Sequence, residues 1–527
     1  MNKSIKFSLL SIGILAATAL NAIVKPSSLF CDHVVLQRNT SIPVWGTANP
    51  GEKVSVTLNK AFETVTTDAN GKWMVRLPKQ KEGGPYKMDI FGDNTITLED
   101  VYVGEVWLCS GQSNMDMTVA KEDRYWCGVL NESTEVNNAN YPQIRVFDVD
   151  FTPTNTVKTN AVGKWEVCSP KTVGHLSAIA YFFAREIYQK MNVPVGMITS
   201  AYGASTAETW ISKQALTAHA DLKPLLDTYS QKFEKYTADS AVTMPKYREG
   251  MKKFRGDMAA VKAAAGDVDA AKKVKAPRDL NPEHDQHNPY VCFNGMIAPL
   301  VPYAIKGILW YQGESNGPTA NQYREIMETL VGDWRSLWGQ GNIPFLYVQL
   351  ANYGKEMTAP VMDNSMMTIR EAQVQNLSIP NTAMAVAIEN AGDQPTNIHP
   401  KNKQVMGYRL GLAARAKVYG EKVEYSGPMY KKYKVEGNTI RLYFDHIGDG
   451  LVAKNDKLTG FAICGEDQKW VWADAKIDGK TIIVTGQDIL KPVAVRYCWG
   501  VNPPASLSNK NGLWAPNFRT DNFNIKN

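Results

Sequence analysis

The most informative pattern in the chain is a short apolar run that ends abruptly in small polar residues. Residues 106–109, Val-Trp-Leu-Cys, are typical of a buried strand, and residues 110–113, Ser-Gly-Gln-Ser, are typical of a tight turn after it. We therefore expect Ser113 to lie just beyond the end of a strand, at the edge of a sheet. A serine there becomes a nucleophile when a base lies within reach and donors can stabilise an oxyanion.

The surrounding region, from about residue 101 to 420, alternates apolar strands with amphipathic helices. Further strands are predicted at 195–200, 305–310, 345–350 and 383–388, and helices at 179–191 and 402–419. This alternation is typical of a doubly wound α/β sheet. Because ligands of such sheets bind beyond the carboxyl ends of the strands, the partners of Ser113 are expected in the segments that follow each strand.

The two flanking regions have a different pattern. In residues 23–100 and 421–527, short segments such as 433–444 alternate or run apolar between Gly, Asn and Pro. This predicts an N-terminal β-sandwich domain and a C-terminal β domain around a catalytic α/β domain at 101–420. Residues 213–287 are rich in Ala, Lys, Glu and Asp and carry few strand signals, so they predict a helical insertion into that domain.

The N-terminus has the layout of a secretory signal. Lys3 and Lys6 precede an apolar stretch that is followed by small residues, which predicts a signal peptide over residues 1–22. Cleavage after Ala19 or after Ala22 fits this pattern. The alternative is a membrane anchor, but the apolar stretch is shorter than the roughly 20 residues that a spanning helix needs. We expect an exported protein, periplasmic or extracellular in a bacterium, with no stable membrane span after cleavage.

Composition narrows the class of protein. The chain has 527 residues, 44% of them hydrophobic and 21% charged, which is enough for a large core and two or three domains. A net charge of +6 is spread too thinly along this length to favour nucleic-acid binding. The seven cysteines are an odd number without CxxC spacing, so a zinc site is not expected and at least one thiol should be unpaired. No cofactor is expected.

Three segments after predicted strands supply partners for Ser113. Gly203 follows one strand, and its backbone amide can donate to an oxyanion. Gln312 follows the next strand and can offer a side-chain donor to the same oxyanion. His399 precedes Pro400, which suits the first turn of a helix, and a histidine held in such a loop is a good general base.

Three motifs in these segments resemble those of a known family. Residues 111–115 (GQSNM), 310–316 (WYQGESN) and 398–403 (IHPKNK) are similar to motifs of the sialate O-acetylesterase family, a branch of the SGNH hydrolases. Further similar segments lie at 34–38, 294–300 and 495–497. The resemblance implies a flavodoxin-like three-layer α/β sandwich with additional β-sandwich elements, no metal, and hydrolysis of O-acetyl esters on sugars.

The resemblance also implies roles for individual residues. Ser113 would be the nucleophile and His399 its base. The oxyanion hole would consist of the backbone amides of Ser113 and Gly203 and, where the wider clan has an asparagine, the side chain of Gln312.

The chain departs from the family pattern next to the histidine. Many relatives carry an aspartate two residues before it, and this chain has Asn397 there. Asn397 together with a backbone carbonyl could orient the imidazole, or a carboxylate elsewhere could replace the missing one, with Asp393 nearest in sequence, then Glu389, then Glu314. Glu314 and Asn316 are otherwise expected to support their loop or contact substrate.

The sequence thus predicts an exported serine carbohydrate esterase that forms an acetyl-Ser113 intermediate and acts on an O-acetylated sugar, most simply an acetylated sialic acid. Two alternatives stay open. One is an acetylesterase acting on plant-wall polysaccharide of the acetyl xylan or pectin type, since small acetyl pockets are alike whichever sugar carries the ester. The other is a catalytically inactive carbohydrate-binding protein.

Overall fold

A computed structural model of the protein describes residues 23–124, 126–263, 274–389 and 397–525. The predicted signal peptide at 1–22 and the candidate Asp393 lie outside these residues. Within the described ranges, none of the helices combines the length and the apolar character needed to cross a bilayer.

The strands of the N-terminal and central regions are β1 Lys25–Pro26, β2 Val35–Gln37, β3 Ile42–Thr47, β4 Lys53–Leu58, β5 Ala61–Thr66, β6 Lys72–Leu77, β7 Gly83–Phe91, β8 Thr95–Gly111, β9 Tyr141–Val149, β10 Gly163–Cys168, β11 Val195–Ala201, β12 Gly307–Tyr311, β13 Phe345–Val348 and β14 Thr382–Ala385. The C-terminal strands are β15 Met429–Glu436, β16 Thr439–Asp445, β17 Leu451–Ala453, β18 Phe461–Cys464, β19 Trp470–Asp478, β20 Thr481–Gly486, β21 Ala494–Tyr497, β22 Leu507–Asn509 and β23 Phe518–Arg519. The α-helices are α1 Ser113–Asp116, α2 Glu132–Asn137, α3 Ala178–Met191, α4 Lys213–Ala218, α5 Lys223–Ala263, α6 Tyr323–Trp338, α7 Ser365–Gln375 and α8 Lys403–Lys417.

The centre of the fold is a parallel sheet with the order β11-β8-β12-β13-β14. Numbered along the chain, these five strands have the order 2-1-3-4-5, which is that of flavodoxin-like sheets. Strand β9 adds to the β11 edge in parallel, and β10 pairs with β9 antiparallel. The order reverses between β8 and β12, and it is beyond the carboxyl ends of strands at such a point that ligand sites form.

Helices cover both faces of this sheet because its strands are apolar on both sides. In β8, Trp107 and Cys109 belong to a buried cluster with α3 and α8, whereas Val106 and Leu108 belong to the cluster that contains α6 and α7. Helices α3 and α8 pack closely through two glycines. A Cβ at Gly407 would lie 2.4 Å from the Cβ of Phe182 in α3. A residue larger than glycine at this position would therefore force the two helices apart.

The N-terminal region is built of two sheets, one of which is continuous with the central sheet. Strands β1, β3 and β6 form one sheet, while β5, β4 and β7 form the other and reach the central sheet through β7 and β8. The predicted boundary at residue 100 falls inside β8, which runs without a break from Thr95 to Gly111. What changes along β8 is the exposure of its side chains. Residues 95–100 are largely exposed or half-buried, and residues 101–111 are buried.

The C-terminal region forms a seven-stranded sheet with the order β15-β16-β20-β19-β18-β21-β23, together with the pair β17 and β22. The segment 433–444, for which the sequence pattern predicts β structure, spans parts of two strands. The segment is a hairpin in which β15 and β16 are joined at Gly437, whose φ of +65° suits a two-residue turn. Classification of either flanking region as a β-sandwich stays a prediction.

The predicted insertion at 213–287 contains α4 and the long helix α5, which includes Pro245. All seven cysteines are unpaired in the structure, and six of them are buried. The six buried cysteines therefore pack as small apolar side chains, and none of the seven forms a disulfide in the structure.

A buried cation joins the C-terminal sheet to the α/β domain. The Arg496 guanidinium donates to both carboxylate oxygens of Asp521 at 2.9 Å and to Asp363, before α7, at 2.9 Å. Arg496 is 2% exposed. The favourable interaction with this cation offsets the free-energy cost of burying the two carboxylates. Removing the cation should therefore destabilise the fold.

We expect Arg496→Met to lower the free energy of unfolding by about 3 kcal/mol or more, because it removes the buried guanidinium that binds both Asp363 and Asp521. Denaturant unfolding followed by circular dichroism measures this change. The matched control is Arg441→Met on the same sheet, which breaks a pair with the exposed Asp478 and should leave the unfolding midpoint nearly unchanged. Equal midpoints for both variants would contradict the role given to Arg496.

Candidate active site

Ser113 lies where the central strand order reverses. Strand β8 ends at Gly111, whose φ is +140°, and a Cβ at this position would lie 2.2 Å from the carbonyl oxygen of Tyr311 in β12. Glycine is therefore required there by both the backbone conformation and the close approach of the two strands. The chain then turns at once, and Ser113 lies just beyond the end of the strand, which is the position that the sequence pattern predicts. Ser113 is the first residue of α1.

His399 reaches Ser113 from the far end of the α/β domain. The Oγ of Ser113 and the Nε2 of His399 are 2.8 Å apart, although 286 residues separate them in the sequence. Both residues are buried. His399 lies in the loop before α8, whose N-cap is Asn402, accepting from the backbone amide of Val405 at 3.2 Å. Pro400 thus precedes the N-cap and does not lie in the first turn.

Asn397 contacts the other side of the imidazole. Its Oδ1 accepts from the backbone amide of His399 at 2.9 Å and lies 3.2 Å from the ring Nδ1. Because an amide oxygen only accepts, this contact assigns the proton to Nδ1 and leaves Nε2 free to accept from the Ser113 hydroxyl. The remaining described alternatives have other partners: Glu389 binds Arg409, and Glu314 binds Asn114.

The surroundings of His399 keep the imidazole neutral. Burial lowers the pKa of His399 to about 4, and the nearby charges of Lys403 and Lys401 act in the same direction. A neutral imidazole at physiological pH can accept a proton, which a general base must do.

Trp126 forms one wall of the site. Its ring stacks on the His399 ring with centroids 5.3 Å apart and an interplanar angle of 24°. The Arg124 guanidinium lies 4.6 Å from the Trp126 centroid and donates to Asp116 at 2.8 Å. The Nζ of Lys401 donates to the backbone carbonyl of Trp126 at 2.9 Å, so this wall is fixed to the loop that carries the histidine.

Gly203 lies opposite Ser113. A Cβ at Gly203 would lie 3.7 Å from the Cβ of Ser113 and 3.5 Å from the Trp126 ring. Burial raises the pKa of Asp116, while Arg124 and a hydrogen bond from the Gly203 amide oppose that shift. The Gly203 amide therefore faces the Asp116 carboxylate.

The Gln312 side chain lies within a buried hydrogen-bond network. Its Nε2 donates to the backbone carbonyl of Ser205 at 3.1 Å and to the Oδ1 of Asn316 at 2.6 Å. Its Oε1 accepts from the Tyr323 hydroxyl at 3.1 Å. Both amide hydrogens are thus in use, and the third-donor role predicted for Gln312 would require these bonds to break.

Asn316 connects two of the loops that follow central strands. Its Oδ1 accepts from the backbone amide of Ala207 at 2.9 Å, and its Nδ2 donates to Glu208 at 2.8 Å. These bonds tie the segment after β12 to the segment after β11, which carries Gly203. The contacts are those that a loop-supporting role requires.

Asn114 joins its own segment to the two segments that carry Glu314 and His399. Its Nδ2 donates to Glu314 at 2.6 Å and to the backbone carbonyl of Ile398 at 3.1 Å. Its Oδ1 accepts from the Nζ of Lys403 at 2.7 Å, and Lys403 also donates to the backbone carbonyl of Pro400 at 2.6 Å. Burial raises the pKa of Glu314, against the effect of Asn114 and Lys403. Glu314 is therefore part of the buried hydrogen-bond network that joins these loops.

Asn114, Lys403 and Gln112 were missed as supporting residues in the sequence analysis. Gln112 accepts from the backbone amides of Gly313 and Ser315, each at 3.2 Å. All three lie inside the motifs at 111–115 and 398–403. Their position as polar residues close to Ser113 or His399 in the sequence could have indicated a supporting role.

The arrangement is suited to nucleophilic chemistry at an acyl carbon. It combines a hydroxyl, a neutral base with a fixed tautomer and backbone amides near the hydroxyl. Among the residues that the structure describes, no group of three or more His, Cys, Asp or Glu side chains is arranged to hold a metal ion.

Comparisons with known proteins agree with this chemistry. A family model described as carbohydrate esterase, sialic acid-specific acetylesterase matches residues 289–414. The sialate O-acetylesterase of Mus musculus is 31% identical over 519 residues, 90% of this chain and 90% of that protein. The sialate O-acetylesterase of Homo sapiens is 28% identical over 517 residues, 90% of this chain and 86% of that protein.

A solved structure extends the similarity to the whole fold. The crystal structure of a carbohydrate acetylesterase from Xanthomonas citri has a TM-score of 0.78 and 32% sequence identity, and the match covers 95% of this chain and all of that one. The chain therefore belongs to the sialate O-acetylesterase family and is a carboxylic ester hydrolase that removes O-acetyl groups from carbohydrate.

Proposed function

We propose that the protein is an exported sialate O-acetylesterase of the SGNH type that acts through an acetyl-Ser113 intermediate. The single observation that carries this mechanism is the 2.8 Å contact between the Ser113 hydroxyl and a neutral, buried His399. A buried hydroxyl next to an imidazole that can only accept at Nε2 is set to lose its proton to that nitrogen.

The reaction has two halves. His399 Nε2 takes the proton of Ser113, and Oγ bonds to the acetyl carbon to give a tetrahedral oxyanion. The bond between that carbon and the sugar oxygen then breaks, and His399 returns the proton to the sugar. In the second half, water loses a proton to His399 and attacks the acetyl carbon. Acetate leaves, and Ser113 recovers its proton.

The backbone amides of Ser113 and Gly203 are the proposed oxyanion donors. Gly203 faces Ser113 and carries no side chain that could block the carbonyl oxygen. Its amide would exchange the Asp116 carboxylate for the oxyanion as charge develops, and Arg124 remains to neutralise Asp116. A third donor from Gln312 is not included, since its amide is bound to Ser205 and Asn316.

Two aromatic surfaces flank the proposed path of the sugar. Trp126 covers His399, and Tyr202, directly before Gly203, stacks on Phe151 with centroids 3.4 Å apart. Both tryptophan and tyrosine are half-buried, so each presents part of its ring to a substrate. Aromatic faces suit the apolar side of a sugar ring.

Acetylated sialic acid is the proposed substrate because the named mammalian relatives, which match over most of their length, are sialate O-acetylesterases. The bacterial relative of known structure is described only as a carbohydrate acetylesterase. An acetylated plant-wall polysaccharide is the alternative that this description leaves open. Export rests on the signal-like segment at 1–22.

Ser113→Ala and His399→Ala should each lower kcat/KM for p-nitrophenyl acetate by about 10⁴-fold or more, because each removes a member of the proton-transfer pair. Thermal unfolding should show that both variants remain folded. The matched control is Ser110→Ala, which removes a nearby buried hydroxyl and should leave activity close to wild type. Activity retained in Ser113→Ala would refute the mechanism.

The pH profile tests the environment of the base. Since the pKa of His399 is about 4, kcat/KM should rise through that pH as the imidazole loses its proton and should then remain level toward neutrality. In Asn397→Asp, a carboxylate beside the ring should raise the pKa by about 1–3 units and move the acid limb upward with it. Asn397→Ala should lower kcat/KM by roughly a hundredfold through loss of ring orientation.

Asp393→Ala provides the comparison for the orienting group. We expect this variant to be close to wild type. A loss on the order of a thousandfold in Asp393→Ala, with Asn397→Ala nearly unchanged, would show that a relocated carboxylate orients His399.

Acetate release from defined substrates tests the choice of sugar. We expect kcat/KM for 9-O-acetyl sialic acid to exceed that for acetylated xylan and acetylated pectin by at least about tenfold, a difference of about 1.4 kcal/mol in transition-state stabilisation. Ser113→Ala serves as the blank for each substrate. Preferential release from either polysaccharide would replace sialate as the proposed substrate while leaving the mechanism intact.

A further inference from the structure

An open cleft of about 480 Å³ lies between the sheet β1-β3-β6 and the α/β domain. Its walls come from the N-terminal strands on one side and from the segments around residues 157–160 and 298–301 on the other. The residues that form it do not include Ser113, His399 or the other site residues described above. Its volume lies in the usual range for small-molecule sites, about 300–1,000 Å³.

The floor of the cleft is apolar and partly exposed. Trp45 and Met74 are cross-strand partners in β3 and β6, so their side chains share one face of the sheet. Met74 is 37% exposed and Val157, opposite, is 59% exposed. An exposed apolar floor with a tryptophan suits the carbon-bound face of a sugar ring.

The rim of the cleft is positively charged. Lys25, Lys72 and Lys158 are exposed and line the cleft, and within the described residues none of the three has a salt bridge. Asp68 is the one acidic residue in the lining, and its Oδ1 accepts from the backbone amides of Asn70 and Lys72, each at 2.8 Å. The excess of lysines attracts an anion.

One buried hydroxyl in the wall has no hydrogen-bond partner. The Oγ of Ser27, a residue that lines the cleft, is buried without a partner among the described residues. Because buried polar groups are almost always paired, this hydroxyl is a candidate partner for an oxygen atom of a ligand.

We propose that this cleft is a second sugar-binding site, which takes a carboxylate-bearing sugar and, specifically, a sialic acid residue of the glycan. The lysines would bind the carboxylate, Trp45 and Met74 would contact the ring, and the Ser27 hydroxyl would bind a hydroxyl or carbonyl oxygen. The choice of sialic acid among acidic sugars rests on the function proposed above. The site would hold the enzyme on sialylated glycans while Ser113 acts on another residue.

Calorimetric titration of N-acetylneuraminate into the full-length Ser113→Ala protein tests this site, with a Kd expected on the order of 1 mM. The methyl resonance of Met74 in ¹³C-methyl-methionine protein, assigned through Met74→Leu, should shift as the sugar binds. Lys72→Glu and Lys158→Glu should each weaken binding by about fivefold or more through charge reversal. The matched control is Lys53→Glu on β4, outside the cleft, which should bind as the parent does.

Two outcomes would overturn the proposal. One is an absence of any Met74 shift, and the other is equal affinity in the cleft variants and in Lys53→Glu. Glucuronate binding more tightly than N-acetylneuraminate would overturn the assignment to sialic acid, and N-acetylmannosamine binding equally well would overturn the role of the lysines. Acetate release is measured separately, so esterase activity on acetylated sialic acid without binding in the cleft would refute this inference alone.

Discussion

The amide of Asn114 is the interaction on which the active site depends. It follows Ser113 directly, and its hydrogen bonds reach Glu314 in the segment after β12 and the backbone of the loop that carries His399. Its oxygen accepts from Lys403, the first residue of α8. One side chain thus fixes three segments that are distant in sequence, and its bonds are strong because two of the partners are ionisable groups in a buried environment.

The same network explains the electrostatics of the base. Lys403 must be buried to hold Asn114, and its charge lies close enough to His399 to lower the pKa of the imidazole, in addition to the effect of burial. Asn397 contacts the ring without adding the negative charge that an aspartate would supply. The base is therefore neutral over a wide pH range, but it binds a proton weakly. The proposed mechanism therefore relies on stabilising the oxyanion at least as much as on the strength of the base.

The sequence predicted the parts of this arrangement that follow from pattern. Ser113 was found because the apolar run of β8 ends just before it, and His399 because it precedes a helix. The alternation of strands and helices likewise predicted the central sheet, whose order is flavodoxin-like. What pattern does not encode is the direction of a side chain. Gln312 follows a strand as predicted, yet its amide turns to Ser205 and Asn316 because those partners come from other loops.

Two further differences have the same kind of cause. The change of composition near residue 100 reflects a change in burial along one continuous strand, β8, and not a break in the backbone. The segment 433–444 has a β pattern throughout, but Gly437 provides the positive φ that reverses the chain within it. The importance of Asn114 could not be derived from its neighbours, since its partner carbonyl at Ile398 lies 284 residues away.

The most direct test of the account is the site of covalent labelling by a fluorophosphonate ester, read by peptide mass spectrometry. At neutral pH we expect one adduct per chain, on Ser113, with labelling slowed by orders of magnitude in His399→Ala because the hydroxyl then lacks its base. An adduct on another serine, such as the buried Ser110, or labelling of Ser113 at the same rate without His399, would contradict the proposed pairing.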